Sequence, residues 1–283
     1  MKLKACITPL SMAYRPSSIR ILLTASQKSG VVQLRGAVDY RCMFSSFTCF
    51  AHRGASGHEP ENSLRSFLKA LELGAQWIEC DVRVVEKTAL IFHDRTLQRM
   101  TGSAGMFAQK SLAELRSLSL PKGEKIPMLS EALQLLRGKA SLQVELKGPQ
   151  SGAIVANELL RALDQGWDTK SLLVSSFDYE ELLAFKKAAP QIPLGLLVYG
   201  YPLNCLGIAK RFSAISVHLH HDSVTEKRVR TLQKAGYRVF VYTVNDADDV
   251  RWLQAIGVDG VFSNFPELAL FPEPVLPSQR RTP

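Results

Sequence analysis

The sequence predicts a parallel α/β fold with enough strands for an eight-stranded barrel, and three observations carry that expectation. Apolar strand-like segments alternate with amphipathic helix-like segments from residue 48 onward, the rhythm of a parallel sheet built with crossover helices. The 283 residues, 46% of them hydrophobic, suit one large domain, and α/β barrels commonly run to about 250 residues as a single unit. Polar residues accumulate where the strand-like runs end, at His52, Glu79, Asp81, Glu145, Lys147, Ser175, His218, Asn245 and Ser263. That is the end at which barrel enzymes carry their chemistry.

Taken in order, 48–52 is the first strand. Asn62 can cap the next helix, whose apolar face is Leu64, Phe67, Leu68 and Leu71, and Gly74 ends it. Strands follow over 77–83 and 89–93, then a polar insertion, with helices over 112–118 and 130–136. Alternation in strand 141–147 sets Gln143, Glu145 and Lys147 on one face and Leu142, Val144 and Leu146 on the other. Helix 151–165 leads to strand 172–175, and Asp178 with Glu181 predicts a capping box. Strand 192–198, a loose helix near 203–211, strand 214–217 and helix 225–235 come next. Strand 238–243 runs into Asn245, read as a helix cap, and 258–262 is the last strand before a short helix over 264–270. Gly257 and Gly260 are read as easing the turn into that strand. There are no internal repeats.

The net charge of +9 is unevenly placed. Residues 1–42 hold seven basic residues against one acid, Asp39, so the remainder is only mildly basic and a nucleic-acid partner loses its main support. This leader has no clean period. It reads as a disordered extension upstream of Met43, with an Arg-rich organellar targeting peptide and a weak secretory signal as competing readings. The barrel is expected over 43–271 and a disordered Pro-rich tail over 272–283. No apolar run approaches the roughly 18 residues of a membrane helix. Five cysteines (6, 42, 49, 80 and 205) form no C-x-x-C pair, which fits a reducing, cytoplasmic setting.

The densest chemistry lies between His52 and Asp94. In Trp77-Ile78-Glu79-Cys80-Asp81-Val82, residues two apart share a face. Glu79 and Asp81 therefore lie together on an otherwise apolar strand. Two such carboxylates repel unless something positive lies between them, and a hard divalent cation with oxygen ligands is the usual remedy. His52 and His93 each follow an apolar run and each stand beside a charged residue, which points to acid–base work. Three further histidines, 218, 220 and 221, crowd one strand end; one is expected at the pocket rim and the others in solvent.

The succession His52-Arg53-Gly54, Pro60-Glu61-Asn62, Glu79-x-Asp81 and His93-Asp94 resembles the glycerophosphodiester phosphodiesterase family. The likeness continues through Val144-Glu145-Leu146-Lys147, Ser175-Ser176-Phe177, Tyr242-Thr243-Val244-Asn245 and Gly257-Val258-Asp259-Gly260, covering roughly 48–270. The resemblance implies a (β/α)8 TIM barrel of the phospholipase-C-like phosphodiesterase type. It implies metal-dependent cleavage of glycerophosphodiesters, such as glycerophosphocholine or glycerophosphoethanolamine, to glycerol 3-phosphate and an alcohol. Glu145 would join Glu79 and Asp81 as a ligand of Mg²⁺ or Ca²⁺. Arg53 and Lys147 would bind the substrate phosphate, with His52 and His93 as the acid–base pair in an unassigned order. Glu61, Asn62 and Tyr242 would support the site, Tyr242 standing where the family often carries Trp. A lysophospholipase D-like or phosphoinositide-type lipid phosphodiesterase is the enzymatic alternative, and a barrel that only binds is the alternative from another class.

Overall fold

The structure, a computed structural model, describes residue 40 and residues 43–270. The expectations for the 1–42 extension, Tyr40 aside, and for the 272–283 tail fall outside the described residues. The first half of the chain runs β1 (Thr48–Ala51), α1 (Leu64–Glu72), β2 (Trp77–Val85), β3 (Thr88–Ile91), α2 (Gln98–Thr101), α3 (Leu112–Ser117), α4 (Leu129–Leu136), β4 (Ser141–Leu146) and α5 (Ser151–Asp164). The second half runs β5 (Leu172–Ser176), α6 (Tyr179–Ala188), β6 (Leu194–Val198), α7 (Cys205–Phe212), β7 (Ser216–His220), α8 (Glu226–Lys234), β8 (Arg238–Tyr242), α9 (Ala247–Ala255), β9 (Gly260–Ser263) and α10 (Glu267–Leu270).

Eight strands pair in the order β1-β9-β8-β7-β6-β5-β4-β2, all in parallel, and β1 pairs with β2 to close the barrel. The remaining strand, β3, lies antiparallel on β2 with Val82 opposite Ile91. The segment read as strand 89–93 is thus a hairpin arm outside the barrel. Only Glu86 and Lys87 separate it from β2, both at positive φ (48° and 61°). Two such residues form the tight turn that suits a hairpin, and no crossover helix fits in that length.

The barrel wall is apolar on both faces, for different reasons. Outward residues such as Ile78, Cys80, Val82, Val144 and Val174 pack against the helices in the main core. Inward, the end where the strands start is filled by Phe50, Trp77, Leu173, Phe240 and Phe262, with Phe44 and Met43 beneath them. Phe50 stacks on Phe262 with ring centroids 4.5 Å apart. This aromatic plug keeps water out of the lower barrel, so the polar inward residues collect at the opposite end. The insertion has an apolar cluster of its own, Leu90, Phe92, Leu97, Phe107, Leu115, Leu120 and Ile126.

Several local expectations are corrected. Ser63, not Asn62, caps α1, its hydroxyl accepting from Ser66 N at 3.0 Å, and Leu68 faces outward, half-exposed. Asp178 does cap α6, but Glu181 closes no box there. Its carboxylate accepts from Gln150 N and Gly152 N at the start of α5. Asp246 caps α9 in place of Asn245. Gly257 holds the positive φ (85°) of the expected turn, whereas Gly260 lies in β9, where a Cβ would stand 2.1 Å from Thr48 O. The glycine at 260 lets β1 and β9 close the barrel.

Candidate active site

Strand register builds the centre. Asp81 on β2 lies directly opposite Glu145 on β4, and Glu79 lies one inward step behind Asp81. One oxygen from each of Glu79, Asp81 and Glu145 falls within 4.8 Å of the others, and all three residues are buried. Asp81 Oδ1 and Glu145 Oε1 accept no well-aligned hydrogen bond and face only the Lys147 ammonium. The cations beside them are Lys147, 3.3 Å from Asp81 Oδ1 and in contact with Glu145 Oε1, and Arg53, 3.1 Å from Asp81 Oδ2. An all-oxygen donor set with orphaned lone pairs fits a hard divalent cation.

The turn after β1 holds the first histidine and Arg53. Arg53 takes φ 57° and Gly54 φ 79°, which aims the Arg53 backbone N–H at Glu79 Oε2, 2.8 Å away. His52 Nε2 stands 4.0 Å from the same oxygen, and its Nδ1 donates to Asn264 Oδ1 at 2.7 Å. His93 follows the hairpin. Its Nδ1 meets Asp94 Oδ1 at 2.7 Å, and its carbonyl accepts two bonds from Arg83, at 3.0 and 2.8 Å. Glu61 joins Arg53 to Arg99, and Arg99 also grips Asp94. Tyr242 donates to Val198 O at 2.7 Å and lies edge-on to Phe177. The structure therefore gathers all ten sequence-predicted site residues around one centre.

Burial and charge set the protonation pattern. Burial raises the Glu79 carboxyl well above its ordinary value, reinforced by Asp81 and Glu145. Burial also lifts Glu145 to about 7, against the pull of Lys147. Burial would raise Asp81 too, but Arg53 and Lys147 outweigh it and hold Asp81 below the usual carboxylate range. His52 is pushed down to about 4 by burial and then by Arg53. His93 is also lowered by burial, opposed by Asp81 and Asp94. The neighbouring cations would meet a phosphate as readily as a carboxylate.

Sequence reasoning missed Asn264, Arg99 and Arg83. Asn264 directly follows Ser263, a strand end already singled out; Arg83 and Arg99 left no such mark. The three-histidine group divides: His218 is fully buried, bonded through Nε2 to Ser216 at 2.9 Å. His220 stands at the rim beside Tyr242 and Tyr199, and His221 is exposed.

The sequence model of the Glycerophosphoryl diester phosphodiesterase family matches residues 52–268. The chain belongs to that family. A glycerophosphodiester phosphodiesterase of Caldanaerobacter subterraneus subsp. tengcongensis is 31% identical, over 77% of this chain and 93% of the relative. One from Bacillus altitudinis is 30% identical, over 78% and 96%. Among solved structures, an Oleispira antarctica phosphodiesterase in complex with the product sn-glycerol-3-phosphate shares 31% identity at a TM-score of 0.74, covering 79% of this chain and 95% of that one. The Thermotoga maritima glycerophosphodiester phosphodiesterase shares 28% at 0.65, covering 80% and 96%. The fold is thus the TIM barrel of this family, and the enzyme class is glycerophosphodiester phosphodiesterase. No helix among the described residues is long and apolar enough to cross a membrane.

Proposed function

We propose that this chain hydrolyses small glycerophosphodiesters to sn-glycerol 3-phosphate and an alcohol, with Glu79, Asp81 and Glu145 holding Mg²⁺ or Ca²⁺. Once bound, the cation would offset negative charge gathering on the phosphate oxygens. Arg53 and Lys147 would bind those oxygens as well, Arg53 through its planar fork and Lys147 as a point charge.

The proton work falls to the histidines, and their Nδ1 partners separate them. His52 donates to a neutral amide, so its free Nε2 is a base, and its lowered pKa keeps it unprotonated. Burial lowers His93 as well, but the carboxylate at its Nδ1 opposes that shift, so of the two rings it is the one better able to hold a second proton and give it from Nε2. His52 takes the proton of the glycerol 2-hydroxyl as its oxygen bonds to phosphorus. The bond to the alcohol oxygen breaks and His93 protonates it. The resulting cyclic phosphate opens when His93, now neutral, takes a proton from water, and the protonated His52 returns one to the glycerol oxygen.

The observation that carries this reading is the pair of imidazoles, each fixed through Nδ1, beside a buried triad of carboxylates and two partly buried cations. The test is release of sn-glycerol 3-phosphate by H52A and H93A, with circular dichroism as the check on folding. Each variant is expected to lose about 10²- to 10⁴-fold in rate. Full activity in a folded variant would remove that histidine from the reaction.

A further inference from the structure

Beside His93 the mouth of the barrel opens into a notch of about 480 Å³, lined among others by Arg83, Arg95, Lys147, Phe177 and Asp178. Most of its charges are already engaged. Lys147 is held by Asp81 and Glu145, Asp94 by Arg99 and His93, and Asp178 Oδ1 caps α6. The two arginines are different. Arg83 donates through Nε and Nη2 to the His93 carbonyl and is in no ion pair. Its Nη1 lies where a Cβ on Gly148 would come within 3.2 Å, so the glycine leaves that edge of the guanidinium uncovered. Arg95 is exposed; its carbonyl accepts from Phe107 N at 2.9 Å, but its guanidinium makes no hydrogen bond or ion pair with any described residue. The lining of the notch therefore includes two guanidinium groups that form no ion pair with a described residue, although the Asp81, Asp94 and Glu145 carboxylates lie near enough to act on Arg83.

We infer that this notch receives the departing alcohol and selects alcohols bearing their own carboxylate or phosphate. The inference rests on the reading above, in which His93 protonates the alcohol oxygen, since an in-line displacement puts the leaving group on the acid's side of phosphorus. A guanidinium recognises a carboxylate or phosphate through paired N–H donors. A quaternary ammonium in the same place would meet two like charges and gain nothing from them.

Glycerophosphoserine and glycerophosphoethanolamine test this cleanly, because they differ by a single carboxylate on the alcohol. The expected kcat/KM ratio of serine to ethanolamine substrate is about 5 to 10, in keeping with one partly solvated charge-assisted hydrogen bond. R95Q is expected to bring the ratio towards one. R83Q is expected to do the same, with a fall in kcat for both substrates because the His93 carbonyl loses its clamp. A wild-type ratio at or below one, or a ratio unmoved by R95Q, overturns the inference while leaving the hydrolytic reading intact. Failure to cleave either substrate sinks the hydrolytic reading, and this inference with it.

Discussion

Asn62 and Asp81 hold each other from both ends: Asn62 Nδ2 donates to Asp81 Oδ2 at 2.9 Å, and Asp81 N donates to Asn62 Oδ1 at 3.2 Å. Asn62 adopts φ 57° to reach this position, a conformation asparagine tolerates better than most residues. The buried carboxylate is thereby fixed with its other oxygen left to Lys147, 3.3 Å away, and to the proposed cation. N62A is expected to weaken Mg²⁺ or Ca²⁺ binding and activity by about 10- to 100-fold, the usual cost of losing a group that orients a ligand. Calorimetric titration of the cation reads this directly; wild-type affinity would show that Asp81 needs no such support.

Lys147 presses against two carboxylates in a space that also suits a cation. Removing its charge leaves Asp81 and Glu145 buried with less compensation. K147M is expected to lose about 3–5 kcal/mol of stability, the range for breaking a buried ion pair, and to recover part of it when Mg²⁺ or Ca²⁺ is added. Thermal melts with and without the ion measure both effects. A variant that melts like wild type and ignores the ion would contradict the arrangement.

His218 gives a pH dependence whose sign is fixed by burial, which pushes its pKa from 6.5 down to about 3. Between those values the unfolded chain binds a proton that the folded chain does not. The stability contributed by the neutral ring is complete above pH 6.5 and is lost progressively as pH falls towards 3. H218Q should show a flatter decline in urea midpoint between pH 7 and 4 than wild type. Parallel curves would mean that His218 is protonated inside the barrel.

The barrel was legible because its signals are local: strand–helix alternation, and inward carboxylates at a spacing of two on β2. The same spacing placed Cys80 correctly in the outer core. A short apolar run looks the same in β3 as in a barrel strand, and only the two-residue turn at Glu86 and Lys87 tells them apart. Asn62 and Asn245 both have the residue type and position of a helix cap, and for Asn62 the sequence leaves the cap and the site open together. Each has a polar neighbour, Ser63 and Asp246, that caps as well and frees the asparagine for a tertiary bond. Asn264 and Arg83 act through partners distant in sequence, His52 in one case and the His93 carbonyl in the other. Asn264 is marked only by following the strand end at Ser263, and Arg83 not at all.

The central claim is that three inward carboxylates hold a divalent cation needed for cleavage, and exhaustive chelation tests it most directly. Release of sn-glycerol 3-phosphate from a glycerophosphodiester would be followed in chelated protein before and after returning Mg²⁺ or Ca²⁺. Activity is expected to vanish on chelation and to return with one of these ions, but not in E145Q. Undiminished release from fully chelated wild-type protein would contradict the account.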